Sequence, residues 1–247
     1  MRYFIEVAYD GRAYGGFQIQ KNANTIQAEV EKALSTFYRA TFALTGSSRT
    51  DAGVHAMQNF FHVDADITVL PKHIYNINSI LPDDITIVKI FPVASDAHCR
   101  FQATHRSYQY FLYQIKNPFL RDRAWFYPYP LDLTLLNEAA AVLMEYEDFT
   151  SFSKRNTQVL TKLCNISRSH WHIEGERIIY NVTANRFLRG MVRGLVGTML
   201  QVGRGRKTVA QLRTIIEAKD CALADFSTPA HGLFLKEVGY NEKTFSV

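Results

Sequence analysis

Residues 85–93 read ITIVKIFPV, a run dominated by β-branched side chains and bounded by Pro-Asp-Asp before it and Ala-Ser-Asp after it. Such a run reads as a strand, and it closes a series when followed back along the chain. Pro71–Ile80 reads as a short helix, opened by its proline and closed before Pro82. Phe42–Ser47 and Met57–Asp64 read as strands. Asn24 or Thr25 caps a helix whose apolar stripe is Ile26, Val30, Ala33, Leu34 and Phe37. Arg2–Ala8 reads as a strand ended by Asp10-Gly11 and the glycine-rich loop GRAYGGFQIQ. The order is β-α-β-β-α-β, a ferredoxin-like unit.

Forward of Val93 the same order returns with little sequence likeness. Ser107–Ile115 (SYQYFLYQI) is an aromatic-rich strand, and a helix centred on Leu135–Met144 starts near Asp132. Ile166–Ile173 and Ile178–Ala184 form a hairpin around EGER. Phe187–Val202 reads as a helix ended by Gly203, Val209–Ala218 as another, and Leu233–Val238 as a last strand. The expected fold is therefore α+β: two ferredoxin-like (βαββαβ) lobes, residues 1–100 and 101–247, whose antiparallel sheets join into one extended sheet with helices on one face. The divide falls near residues 95–105, and no linker rich in Pro, Gly or Ser marks it.

Composition bounds the function only loosely. The 247 residues suit one large domain or two small ones. A net charge of +5 and a pI near 9.0 favour a polyanionic partner. The cysteines Cys99, Cys164 and Cys221 lie far apart without a Cys-x-x-Cys, as expected of reduced thiols in an intracellular protein. Glu6 interrupts the first apolar run, so it does not read as a signal peptide, and no stretch has the apolar length of a membrane span. A cytoplasmic location is expected.

Three clusters carry chemistry. In SSRTDAGVH, residues 47–55, alternation of an extended chain points Arg49 and Asp51 the same way, and small neighbours leave room for a planar ligand. The arginine would favour an ionised carboxylate; a catalytic carboxylate and a surface ion pair are both open from these residues. In the strand HRSYQY, Arg106, Tyr108 and Tyr110 share a face, as in sheets that stack single-stranded bases, or simply pack inward. In NRFLRGMVRGLVG, Arg186, Arg189 and Arg193 fall on one helical face and continue into GRGRK, a pattern suited to phosphates. His170 and His172 share a strand face without a third ligand at metal spacing, and the glycine-rich loop lacks a nucleotide-binding pattern.

The motif SRTDAGVH at 48–55 resembles the signature of the tRNA pseudouridine synthase A family. YDGRAYGGFQ at 9–18, TIQAEVEKAL at 25–34, RFQATHRSYQY at 100–110, DFTSF at 148–152, MVRGLVG at 191–197 and GLFL at 232–235 are similar to further family segments in family order. The resemblance spans Tyr3 to about Tyr240. It implies a homodimeric isomerase that converts uridines at positions 38–40, on the 3′ side of the tRNA anticodon stem-loop, to pseudouridine without metal or organic cofactor. It places the nucleophilic aspartate at Asp51, its paired arginine at Arg49, the tyrosine against the flipped uracil at Tyr108, and the arginine that closes on the aspartate at Arg193. Arg186, Arg189, His55 and Gln18 are the further candidate substrate contacts. The sequence departs from the family at Phe17, where a tryptophan is frequent, and at Gln58 and Asn59, where glycine and glutamine are common. A non-catalytic RNA-binding protein using Tyr108 and the arginines, but not Asp51, is the alternative.

Overall fold

A computed structural model describes residues 1–155 and 159–245. The chain forms two compact units, Met1–His105 with the segment from Phe234 onward, and Arg106–Leu233.

In the first unit, β1 (Arg2–Tyr9) runs antiparallel to both β3 (His55–Asp64) and β4 (Ile85–Val93), with Ile5 opposite Phe61 on one side and Ile90 on the other. The β-branched run ITIVKIFPV thus forms a strand over its whole length. Thr25 caps α1 (Ile26–Tyr38) by accepting the Ala28 N–H, and the stripe Ile26, Val30, Ala33 and Leu34 is buried. The expected strand 42–47 shrinks to β2 (Thr45–Gly46), paired with β3. The reason is local: the Leu44 N–H donates to Glu31 and its carbonyl accepts from Gln27, so α1 takes the bonds a longer ladder would use. The expected helix 71–80 begins as a 3-10 turn, Pro71–His73, and continues as α2 (Ile74–Asn78). It stops where the Asn78 amide bonds both backbone groups of Ile87. Phe4, Ile5, Val30, Leu34, Phe61 and Ile77 fill this core.

In the second unit, β8 (Arg177–Ala184) lies antiparallel between β5 (Ala103–Tyr113) and β7 (Ile166–Glu174), and β6 (Trp125–Phe126) lies parallel to β5. Asp132 caps α3 (Leu133–Val142) through the Thr134 and Leu135 N–H groups. A complete capping box, Thr208 with Gln211, opens α5 (Val209–Glu217). The helix expected from Phe187 is α4, Met191–Gly203, and starts four residues later. Gly190, at φ +74°, sits at its N-cap in a left-handed conformation that an L side chain resists. The Arg189 carbonyl just before it accepts the Lys154 N–H at 3.1 Å, outside any helical ladder.

The last strand, β9 (Leu233–Tyr240), which the sequence order assigns to the second half, belongs instead to the first unit for most of its length. It runs parallel to β3 in the first unit, with His55 opposite Phe234 and Ala56 opposite Leu235. The first unit's sheet is therefore mixed, and the whole is α+β.

Candidate active site

Asp51 stands at the head of a turn whose position is fixed from both sides. The Val54 N–H closes on the Asp51 carbonyl at 3.1 Å, and Gly53 has φ +77°, the pattern of a type II turn, which wants glycine third. On the N-terminal flank, Thr50 and Ser48 are buried. The Thr50 hydroxyl bonds the Tyr9 hydroxyl at 2.8 Å, and the Thr50 carbonyl accepts the Phe17 N–H at 3.1 Å. The glycine-rich loop packs against the turn backbone to backbone. A Cβ on Gly11 would stand 2.0 Å from the Val54 carbonyl oxygen, and one on Gly16 would stand 2.9 Å from that of Thr50. Those glycines therefore let the loop pack against the turn.

The Asp51 side chain is half-buried, and among the described residues it has no hydrogen bond or ion pair. Arg49 is exposed and does not reach it: the chain at 49–51 is irregular, not a strand, so alternation does not bring the two together. The turn presents an uncommitted carboxylate on a rigid base.

His55 follows the turn and is 1% exposed. Its Nδ1 lies 3.1 Å from Asp10 Oδ1 and 3.3 Å from the Gly11 N–H, and its ring stacks on Phe234 with centroids 4.3 Å apart. The ring is a prop beneath the turn. Burial pushes the Asp10 carboxyl upward, but bonds from Arg12 and the nearby His55 outweigh it and hold it below its usual range. Gln18 is exposed at the edge of the glycine-rich loop.

The departures at 58 and 59 also prove to be supports. The Gln58 amide accepts the Val238 N–H and donates to Glu6. Asn59 is fully buried and bonds Ser48 and Tyr9. Phe17, buried, stacks on Phe61 at 4.4 Å, and its ring fills the space where Gly46 lacks a side chain.

In the second unit, Tyr108 and Tyr110 share an inward face of β5. Tyr110 is wholly buried and donates to the Pro229 carbonyl at 2.8 Å, and burial raises its phenol well above the usual value against the opposing charge of Arg193. Tyr108, 9% exposed, meets the edge of Phe187 at 5.1 Å. Arg106 donates to the Asn185 carbonyl. The basic helical face resolves differently from the sequence reading. Arg186 and Arg189 precede α4 in irregular chain, and only Arg193 lies on the helix, which is buried nearly all round. Arg193 donates through Nε to the Thr228 carbonyl at 2.6 Å, while Thr228 Oγ1 donates back to the Arg193 carbonyl at 2.9 Å. Its terminal nitrogens meet no partner among the described residues.

One group of metal-type ligands lies among the described residues: His62, His98 and Cys99 bring donor atoms within 4.8 Å of one another. Several of their polar atoms already take part in hydrogen bonds. His62 Nδ1 accepts the Cys99 N–H, the Cys99 thiol donates to the Thr45 carbonyl, and His98 Nδ1 accepts from Arg100 and Phe101. Burial, helped by His98 and Arg2, pushes the His62 ring down to about 4. The cluster is a hydrogen-bonded plug within the first unit. His170 and His172 stack at 5.6 Å on β7 without joining such a group.

A model of the family described as tRNA pseudouridine synthase matches residues 5–102 and 139–241. A protein of Parabacteroides distasonis named tRNA pseudouridine synthase A is 44% identical over 251 residues, covering 100% of this chain and 98% of its own. The protein of that name from Bacteroides thetaiotaomicron is 46% identical, covering 99% and 93%. One from Staphylococcus aureus is 37% identical, covering 98% and 93%.

Proposed function

This chain belongs to the tRNA pseudouridine synthase A family, and we propose that Asp51 is the carboxylate on which its isomerisation of tRNA uridines turns. The enzyme is an isomerase that makes pseudouridine in tRNA. The finer reading is that it acts on uridines at positions 38–40 of the anticodon stem-loop, in the cytoplasm, as a homodimer of ferredoxin-like lobes with joined sheets.

One observation supports the role of Asp51 above others: a half-buried carboxylate without a partner, on a turn that buried hydrogen bonds and close-packed glycines hold in place. A structural aspartate would spend its charge on a neighbour. A catalytic one is kept available while its backbone is fixed.

The chemistry asks for little more. The N1–C1′ bond breaks, the base turns, C5 bonds to C1′, the C5 proton leaves and N1 takes one up. The reaction is redox-neutral. An ionised Asp51 can attack the sugar, attack the base, or remove a sugar proton. Tyr108 is the candidate to lie against the uracil and take the C5 proton, a task for which a phenol with an ordinary pKa of ~10 needs assistance. Arg193, with Nε tied to Thr228, has its terminal nitrogens left to hold an anion. Arg49, exposed and uncommitted, suits the same role once RNA is bound. Arg186 and Arg189 suit phosphates, and unstacking the target base costs a few kcal/mol that such contacts offset. Gln18 stands as an exposed contact and His55 as the prop beneath the turn.

The test is Asp51→Asn assayed on unmodified tRNA with pseudouridine mapped at each position. Product should vanish while the fold and tRNA affinity persist, because asparagine is nearly isosteric but a far weaker nucleophile and base. Near-parental turnover in a folded, binding Asp51→Asn protein would end the case for Asp51. Product outside positions 38–40 would correct the site, and a fully active monomer in sedimentation would remove the dimer.

A further inference from the structure

We infer that Asn59 is a positioning residue for the isomerisation, acting through Ser48, Tyr9 and Thr50 to fix where the Asp51 carboxylate stands. The inference rests on the reading of Asp51 as the essential carboxylate.

Asn59 lies on β3 with no exposed surface, and all the capacity of its amide that the fold can use is engaged. Nδ2 donates to the Ser48 carbonyl at 2.8 Å and to the Tyr9 hydroxyl at 3.2 Å, while Oδ1 accepts the Phe60 N–H at 2.9 Å. The Tyr9 hydroxyl passes the connection on to Thr50 Oγ1 at 2.8 Å. One side chain therefore grips the residues on both sides of Arg49, and the second of them adjoins Asp51. The amide cannot flip, because Oδ1 would then face the Ser48 carbonyl oxygen at hydrogen-bond distance, acceptor against acceptor.

Ser48, Thr50 and Tyr9 are all buried, and the Tyr9 ring is wedged beside Phe17 at 5.9 Å. A Ser48 carbonyl deprived of Asn59 would move to recover a donor, carrying the 48–50 backbone with it. Displacing a reacting group by about 1 Å can cost on the order of 100-fold in rate. The effect should fall on turnover and not on tRNA binding, because Asn59 cannot itself touch RNA.

Two shape-preserving variants test this. Asn59→Asp keeps the volume but replaces the donor with an acceptor. At neutral pH kcat should fall about 10- to 100-fold with KM and tRNA affinity within about threefold. Because only the protonated acid can donate to Ser48, the ratio of its kcat to that of the parent should rise as pH is lowered. Tyr9→Phe keeps the ring packing and removes the hydroxyl that joins Asn59 Nδ2 to Thr50 Oγ1, leaving the Asn59–Ser48 bond in place, and its kcat should fall several-fold at unchanged KM. A purely structural role would lower the melting temperature of both variants while the folded protein kept its kcat and a parent-like pH profile. That result would overturn the inference with Asp51 untouched. Should Asp51→Asn, run in parallel, retain turnover, the reading beneath fails and the inference with it.

Discussion

Replacing Gly16 by alanine isolates the contribution of close backbone packing to the turn that carries Asp51. Gly16 has φ +114°, outside the regions an L residue occupies readily, and its missing Cβ would lie 2.9 Å from the Thr50 carbonyl oxygen and 3.4 Å from the Ala52 nitrogen. The conformational cost is about 1–3 kcal/mol, and pressing a methyl group against backbone that cannot rotate away adds about 1–3 kcal/mol. The sum, about 2–6 kcal/mol, corresponds to a melting temperature lower by about 4–24 °C in a chain of this size. Gly175 is the internal control. It has φ +58° in the β7–β8 hairpin with nothing near its missing Cβ, so Gly175→Ala carries only the conformational part, about 1–2 kcal/mol. Scanning calorimetry on both variants separates the two costs. Steady-state pseudouridine formation at a temperature where both are folded reads the consequence. Gly16→Ala should lose turnover at least tenfold, because relief of the clash pushes Thr50 and breaks its bond to the Phe17 N–H. Gly175→Ala should keep parental turnover. Equal stabilities for the two variants, with full turnover in Gly16→Ala, would refute the claim that the glycine-rich loop sets the turn.

Arg189 is exposed in the basic segment before α4, so Arg189→Ala should flatten the slope of log affinity for tRNA against log salt by about one unit or less, with kcat preserved; an unchanged slope argues that Arg189 meets no phosphate. Asp10 titrates below its ordinary 3.8 in the folded chain, so the unfolded chain binds its proton first as the medium is acidified. The stability it supplies is complete above that ordinary value and is lost as pH falls through the depressed one. Asp10→Asn should accordingly flatten the fall of unfolding free energy in strong acid, as measured by urea titration at stepped pH. Cys99 and Cys164 are buried, burial pushes the Cys164 thiol up to about 11, and Cys221 is partly exposed. Iodoacetamide at mildly alkaline pH should therefore label Cys221 alone in native protein and all three cysteines in urea, read by peptide mass spectrometry.

Features that depend on near neighbours along the chain are legible in the residues alone. Thr25 and Asp132 cap helices because their side chains reach N–H groups two or three residues away. Ile85–Val93 is a strand because its side chains favour one. The SRTDAGVH motif marks Asp51 through the residues beside it in the chain alone. Tertiary structure decided what depends on residues far apart. The 42–47 strand lost most of its length to Gln27 and Glu31 of α1, and β9 found its partner in β3, some 180 residues back, as the Gln58 bond to Val238 also records. The helical periodicity of Arg186, Arg189 and Arg193 was real in the sequence. It did not become a helix face because Gly190 in its left-handed conformation postponed the helix past the first two arginines. Asn59 stood in the sequence only as a departure from a family pattern. Its part in holding the turn rests on bonds to Tyr9 and Ser48 across two other segments, which no local pattern of residues encodes.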